Sequence, residues 1–214
     1  LPSKAIIYYT DNVPPEKFLN TVRDYLKEAA GDIPIIFVSQ KPIEEENNIV
    51  MPLLKRGHRS RTKQILEGLK QLDTDIVYFA EHDVIYHPSH FDFMPEQQDI
   101  FYYNTNRWWM RLADGAAVYA GGHALSQMVC NRMLAYRWYF RRVQLYDMDI
   151  KNNSGNEPGK SNSYLMPESK MDTFQSEWPN VDIRHKHNYT KGDKFQKKIT
   201  YEIPFWGTNL AKEI

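Results

Sequence analysis

The chain has 214 residues, of which 42% are hydrophobic and 14% aromatic, enough for one domain with a substantial core. Its 27 basic side chains balance 27 acidic ones. This excludes a global field drawing it to nucleic acid or membrane and leaves only local patches for any polyanion. A lone cysteine, Cys130, excludes an intrachain disulfide and suits a reducing compartment. No apolar run approaches the roughly 20 residues of a membrane-spanning helix. Leu1-Pro2-Ser3-Lys4 leads into a strand without a signal-peptide pattern, so the expected location is the cytoplasm.

In chain order, Ala5 to Thr10 reads as a buried strand ending in a polar Thr10-Asp11-Asn12 turn. Phe18, Leu19, Val22, Tyr25, Leu26 and Ala29 recur at spacings of three and four, which predicts an amphipathic helix over Glu16 to Ala30, stopped at Gly31. Ile33 to Ser39 is a second strand, and Lys41 to Pro52 an acidic loop with a short strand near Ile49-Val50-Met51. Ser60 to Leu72 reads as a helix with Ile65, Leu66 and Leu69 on one face, and Ile76 to Ala80 as the next strand. This alternation is an α/β pattern with a mostly parallel central sheet flanked by helices. Further on, Ile100 to Tyr103 reads as a strand and Tyr119-Ala120 as the end of another. Gly121-Gly122-His123 forms a turn before a helix from Ala124 to Tyr146, and Lys151 to Ser163 a flexible polar loop. Phe174 to Trp178 reads as a short helix and Val181 to Arg184 as a late strand.

The most informative stretch is Asp75 to Asp83, where an apolar run ends in Glu81-His82-Asp83. Period-two geometry puts Glu81 and Asp83 on the same side of an extended backbone and His82 on the other. Two carboxylates at the tip of a buried strand suit a hard divalent cation, Mn²⁺ or Mg²⁺, shared with a substrate's phosphates. In open α/β sheets ligands bind beyond the carboxyl ends of the strands, and Asp11, Ser39, Glu81 and Asp83 all fall there. His87 and His90, around Pro88, are expected to structure their loop.

The element order, the acidic triplet after the buried strand and the late His185-Lys186-His187 resemble a GT-A glycosyltransferase. Such enzymes have a Rossmann-like nucleotide-sugar half, here residues 1–99, and an acceptor half with a C-terminal lid, here 100–214. The resemblance implies that Glu81-His82-Asp83 stands for the DxD metal motif, with Glu in place of the usual first Asp. Thr10 and Asp11 would lie near base and ribose, and Arg59 and Ser60 near the nucleotide. Glu81 would approach ribose or a metal-bound water. Asp83 would ligate Mn²⁺ or Mg²⁺, joined by His185 or His187. Gly122 and His123 would lie beneath the donor sugar, where a missing Cβ allows close approach. Arg184, Lys191 and Lys194 would clamp the diphosphate, on a loop that Gly192 lets fold over the ligand. An inverting reaction would take Glu157 or Asp114 as its general base. The implied donor is a nucleoside-diphosphate sugar, a UDP-sugar for preference.

The leading acceptor is a hydroxymethylated pyrimidine in DNA, since compact phage enzymes that resemble this chain modify DNA bases; a cell-surface glycan is the alternative. Two segments bear on DNA. One is the predicted helix with Arg132, Arg137, Arg141 and Arg142 among Tyr136, Trp138, Tyr139 and Phe140. The other is the basic run with Arg56, His58, Arg59 and Arg61. The bland alternative for the helix is aromatics packed inward. A nucleotidyltransferase is the enzymatic rival, although Thr10 to Pro15 lacks the glycine and lysine of such a loop; a non-catalytic binding module of the same fold is the other.

Overall fold

The computed structural model describes residues 1–52, 55–148, 157–160, 166, 168–189, 195 and 198–214. In chain order its strands are Lys4–Thr10 (β1), Ile35–Ser39 (β2), Asn48–Val50 (β3), Ile76–Glu81 (β4), Val84–Ile85 (β5) and Ile100–Asn104 (β6), then Arg107–Arg111 (β7), Ala117–Tyr119 (β8), Met128–Asn131 (β9), Lys170–Phe174 (β10) and Asn180–Arg184 (β11). Its helices are Glu16–Ala30 (α1), His58–Gln71 (α2), Arg132–Asp147 (α3) and Leu210–Glu213 (α4).

A seven-stranded sheet runs β10-β6-β9-β4-β1-β2-β3. β1 pairs in parallel with β2 and β4, and β2 with β3; β9 alone runs antiparallel to its neighbours β4 and β6. The apolar runs of β1 and β4 are buried on both faces, as expected of parallel strands covered by helices. Ile7, Phe79, Tyr103 and Cys130 face α2 and α3, while Ile6, Tyr8, Tyr78 and Val129 face the end of α1 and Phe91. α2 reaches the sheet closely because Gly68 has no side chain; a Cβ there would meet Ile7 Cγ2 at 3.0 Å and Val38 Cγ2 at 3.3 Å.

A second sheet, ordered β5-β11-β7-β8, is smaller. Strand alternation gives it two unlike faces. Ile85, Val181, Ile183 and Met110 pack against Phe18, Leu19 and Val22 of α1. The opposite face carries Asn180, Asp182 and Arg184 beside their β7 partners Arg107, Trp109 and Arg111. Both sheets draw strands from residues on either side of position 99, β5 belonging to the smaller one and β6, β9 and β10 to the larger.

Several expectations need correction. The helix expected from Ala124 is a 3₁₀ turn, then β9, then α3. Met128-Val129-Cys130 is a short, fully buried run, whose period does not distinguish strand from helix. The helix begins where the Asn131 side chain accepts the N–H groups of Met133 and Leu134 at 3.0 and 3.2 Å. The segment from Phe174 to Trp178 is not helical: β10 ends at Phe174, and the carbonyl of Phe174 accepts Thr105 N–H at 2.8 Å. β5 and β7 were not anticipated, β5 for its two residues and β7 because Arg107 and Arg111 flank an indole pair without an obvious apolar alternation. Much of the expected Lys151–Ser163 loop lies outside the described residues, but residues 157–160 are fixed. Tyr103 Oη donates to the Pro158 carbonyl at 2.7 Å, and a Cβ on Gly159 (φ +81°) would lie 2.5 Å from the Lys170 carbonyl. His87 and His90 do structure their loop: His87 Nδ1 bonds Ser89 at 2.8 Å and buried His90 Nδ1 faces Asn104 Nδ2 at 3.1 Å.

Candidate functional site

The carboxyl ends of β1, β2 and β4 meet at a pocket of about 130 Å³, walled by Asp11, Arg56, Arg61, Glu81, Asp83 and Arg184 among others. Its floor is built by polar side chains that tie strand ends together. Gln64 Nε2 of α2 donates to the Thr10 and Val38 carbonyls at 2.8 and 3.2 Å. Asn12, at φ 54°, accepts the N–H groups of Gln40 and Lys41 at 2.8 and 3.0 Å, a left-handed conformation that Asn tolerates. Asp11 is thereby turned to the pocket, where Arg56 Nε stands 2.6 Å from its Oδ2.

Glu81 ends β4 and Asp83 follows one residue later, before β5. Tyr9 Oη donates to Glu81 Oε1 at 2.8 Å, and Arg61 stands 3.8 Å from the same oxygen. Asp83 Oδ2 accepts from Asn188 Nδ2 at 2.6 Å, and the Asn188 Oδ1 accepts His185 N–H at 2.6 Å. Asn188 thus fastens the turn after β11 to the tip of β4. Burial first, then the charges of Asp83 on Glu81 and of Asp182 on Asp83, push both carboxyls up to about 7. Burial works against the charge of Arg61, but Glu81, Tyr9 and Glu157 hold its guanidinium firmly protonated.

Two neighbouring carboxyls held above their ordinary range by burial and by other acidic groups fit a hard cation, with Asp83 and Glu81 as its protein oxygens. The histidines fit less directly. His185 is kept neutral, its pKa lowered to about 4 by burial and by the neighbouring cationic groups, and its Nε2 lies 4.0 Å from Asp83 Oδ2. That Nε2 is buried without a hydrogen-bond partner among the described residues. His187 N–H points at His185 Nδ1 from 3.3 Å, which leaves the ring proton on Nε2. Coordination through Nε2 would take the other tautomer. Among the described residues no group of three or more His, Cys, Asp or Glu side chains is set to hold a metal by itself. An ion here would need oxygens from its substrate.

The other residues singled out from the sequence are scattered. Thr10 and Asp11 line the pocket, as does Arg184, whose guanidinium lies 4.5 Å from the Trp109 ring centroid. Arg59 does not line it; it pairs with Asp147 at 2.9 Å. Ser60 is buried, its hydroxyl bonded to the Lys55 carbonyl. Their neighbours Arg56, His58 and Arg61 line it instead, Arg56 from the segment before α2 and His58 and Arg61 from the first turn of the helix. His82 also lines the pocket rather than pointing away, since alternation stops with β4 at Glu81. Gly122 and His123 lie outside it in an exposed turn, with φ 69° at Gly122 and the His123 ring edge-on to Tyr103. Asp114 is exposed between β7 and β8, where Arg111 grips both its oxygens at 2.8 and 2.6 Å. Glu157 is different: burial raises its carboxyl pKa against the pull of Arg61, Lys160, Arg142 and Arg107. Lys191, Gly192 and Lys194 lie outside the described residues. Sequence reasoning missed Asn188 and Tyr189; only their closeness to the late histidines pointed to them.

The basic helix adopts the bland arrangement. Trp138 and Tyr139 are core residues of α3, and Arg142 lies over the Trp138 ring at 4.7 Å. No described helix is long and apolar enough to cross a membrane.

No protein-family profile matches the sequence, and none of the curated proteins compared with it does. Solved structures do match. A glycosyltransferase involved in the glycosylation of the major capsid of PBCV-1 superposes with a TM-score of 0.52 at 12% identity, over 81% of this chain and 82% of that one. The bifunctional IspDF from Campylobacter jejuni gives 0.47 at 9% identity over 82% of this chain. S. aureus TarS 1-349 in complex with UDP-GlcNAc gives 0.48 at 14% identity over 95% of it. The chain spans 50% and 63% of the length of those last two. At such identities the likeness is one of architecture: a mixed α/β chain with a mostly parallel seven-stranded sheet flanked by helices, a fold shared with the capsid glycosyltransferase.

Proposed function

We propose that the chain transfers a glycosyl group from a nucleoside-diphosphate sugar to an acceptor hydroxyl, with Mn²⁺ or Mg²⁺ bound at the tip of β4. The observation that carries this reading is the make-up of one pocket. Half-buried carboxyl groups of Glu81 and Asp83 share it with the guanidinium groups of Arg56, Arg61 and Arg184. Opposite charges interleaved at the carboxyl end of a parallel sheet suit a diphosphate that brings its own divalent ion.

In this reading Tyr189 and His58, set edge to face at 5.2 Å, offer ring surfaces to the nucleobase, and Asp11 and Thr10 accept from ribose. Arg184 and Arg61 neutralise the phosphates as the bond to the anomeric carbon breaks. A divalent ion on Asp83 would add Lewis-acid stabilisation of the leaving diphosphate. Glu157, with its carboxyl pKa raised by burial, is the preferred proton acceptor for the hydroxyl if the reaction inverts. Asp114 is the poorer choice, since Arg111 occupies both its oxygens.

A saccharide hydroxyl is the better acceptor. Several features that suggested DNA are internally satisfied: Arg56 pairs with Asp11, Arg59 with Asp147, and Trp138 and Tyr139 of α3 lie in the core. The test is hydrolysis of UDP-glucose, UDP-N-acetylglucosamine and GDP-mannose with Mn²⁺. Slow release of nucleoside diphosphate that EDTA abolishes supports the reading. Binding without turnover, in every donor and with acceptor saccharides added, would reduce the protein to a binding module.

A further inference from the structure

The smaller sheet has a polar face that is buried. Asn180, Asp182, Arg107 and Trp109 lie on it at 0%, 8%, 7% and 9% exposure. A buried polar surface is unusual enough to require a reason, because each group must recover in the protein what it loses from water. Most of this face does so. Arg107 donates through Nε and Nη2 to the Gly121 carbonyl at 3.1 and 2.8 Å and through Nη1 to Asp182 Oδ2 at 2.6 Å. Trp109 Nε1 donates to the same Oδ2 at 3.1 Å. Asp182 Oδ1 is the exception: it is buried without a partner among the described residues.

The location of that oxygen narrows its use. Asp182 stands two residues, about 7 Å, back along β11 from Arg184, on the same face, and Arg184 lines the nucleotide pocket. Its charge acts on both Asp83 and Glu81. With Oδ2 fixed by two donors, Oδ1 has a set direction and nothing to accept from among the described residues.

We propose that Asp182 is a specificity-determining residue of the donor site, its Oδ1 accepting a hydrogen bond from a hydroxyl of the transferred sugar. The inference rests on the glycosyl-transfer reading above and deepens it. Arg107 and Trp109 act as positioning residues that aim the carboxylate.

The test compares binding of UDP with that of UDP-glucose and UDP-N-acetylglucosamine, by calorimetry in Mn²⁺, for the wild type and Asp182→Asn. In the variant the amide oxygen is held by Arg107 and Trp109, so that an N–H group replaces the acceptor. The wild type should bind at least one UDP-sugar more tightly than UDP. The variant should lose about tenfold or more of that preference, the worth of a hydrogen bond to a charged group. The readout is the ratio of UDP-sugar to UDP affinity, because loss of the Asp182 charge also acts on Glu81 and Asp83 and shifts UDP binding itself; retained UDP binding shows that the pocket is folded. Trp109→Phe, which loosens the carboxylate without removing it, should fall between the two. Equal weakening of UDP and UDP-sugar would assign Asp182 a purely structural role and overturn the inference. An unchanged preference in the variant, or a wild type that gains nothing from the sugar, would overturn it as well. A wild type that binds neither UDP nor its sugars, nor GDP-mannose, would instead overturn the reading underneath.

Discussion

Glu81 and Asp83 carry the pressure of this molecule in a form that titration can read. Their carboxyls sit at about 7 in the folded chain, against ordinary values of 4.5 and 3.8. Between about pH 4 and 7 these two groups bind more protons in the native state than in the unfolded one, and their own contribution to stability falls as pH rises through that window, against the buried neutral histidines such as His90 and His185, whose contribution rises. Asp83→Asn leaves the histidines in place, so the melting temperature of the metal-free variant should gain on that of the wild type between pH 5 and pH 7.5. An equal change in both proteins would show that these groups are not the source. A divalent ion should restore the loss at pH 7.5 and do little at pH 5, where both groups are protonated. The acidic pair was legible as a strand-end motif because its residue types and spacing are local. Asn188, which bonds Asp83 from 105 positions away, was not, because that contact exists only after β11 pairs with β5.

Elements carry the site through a few specific joints. Asn131 starts α3 by accepting two N–H groups, so Asn131→Ala should cost about 1 kcal/mol, seen as a lower denaturation midpoint with an unchanged slope. Gly68 lets α2 approach β1 and β2. A valine there should force Ile7 and Val38 aside and destabilise by about 1–3 kcal/mol or more, with weaker nucleotide binding because Arg61 and Gln64 ride on the same helix. A variant of full stability would mean that this face of the helix tolerates more space than its packing suggests. Long periodic elements such as α1 and the buried β1 and β4 could be read from the sequence within a few residues. The smaller sheet could not, because two- to five-residue strands such as β5 and β7 owe their existence to partners far along the chain. The late helix was misread for the same reason: Met128 to Asn131 is a strand because β4 and β6 stand on either side of it.

On the scale of the whole molecule, the larger sheet presents strand ends and the smaller sheet a polar wall, with the acidic tip of β4 between them. The parallel arrangement and its ligand-binding edge followed from the order of elements; the second sheet that closes the site came from register and burial, which no single segment encodes. The account stands on Asp83 holding a divalent ion together with a diphosphate. Asp83→Ala should lower metal-dependent turnover by about 100-fold or more, since Lewis-acid stabilisation is worth several kcal/mol and each 1.36 kcal/mol is tenfold. The most direct measurement is electron paramagnetic resonance of Mn²⁺ titrated with the protein and UDP. The account predicts that protein and UDP together remove free-ion signal beyond what UDP removes alone, and that Asp83→Ala abolishes this excess. An excess of the same size in Asp83→Ala would contradict it.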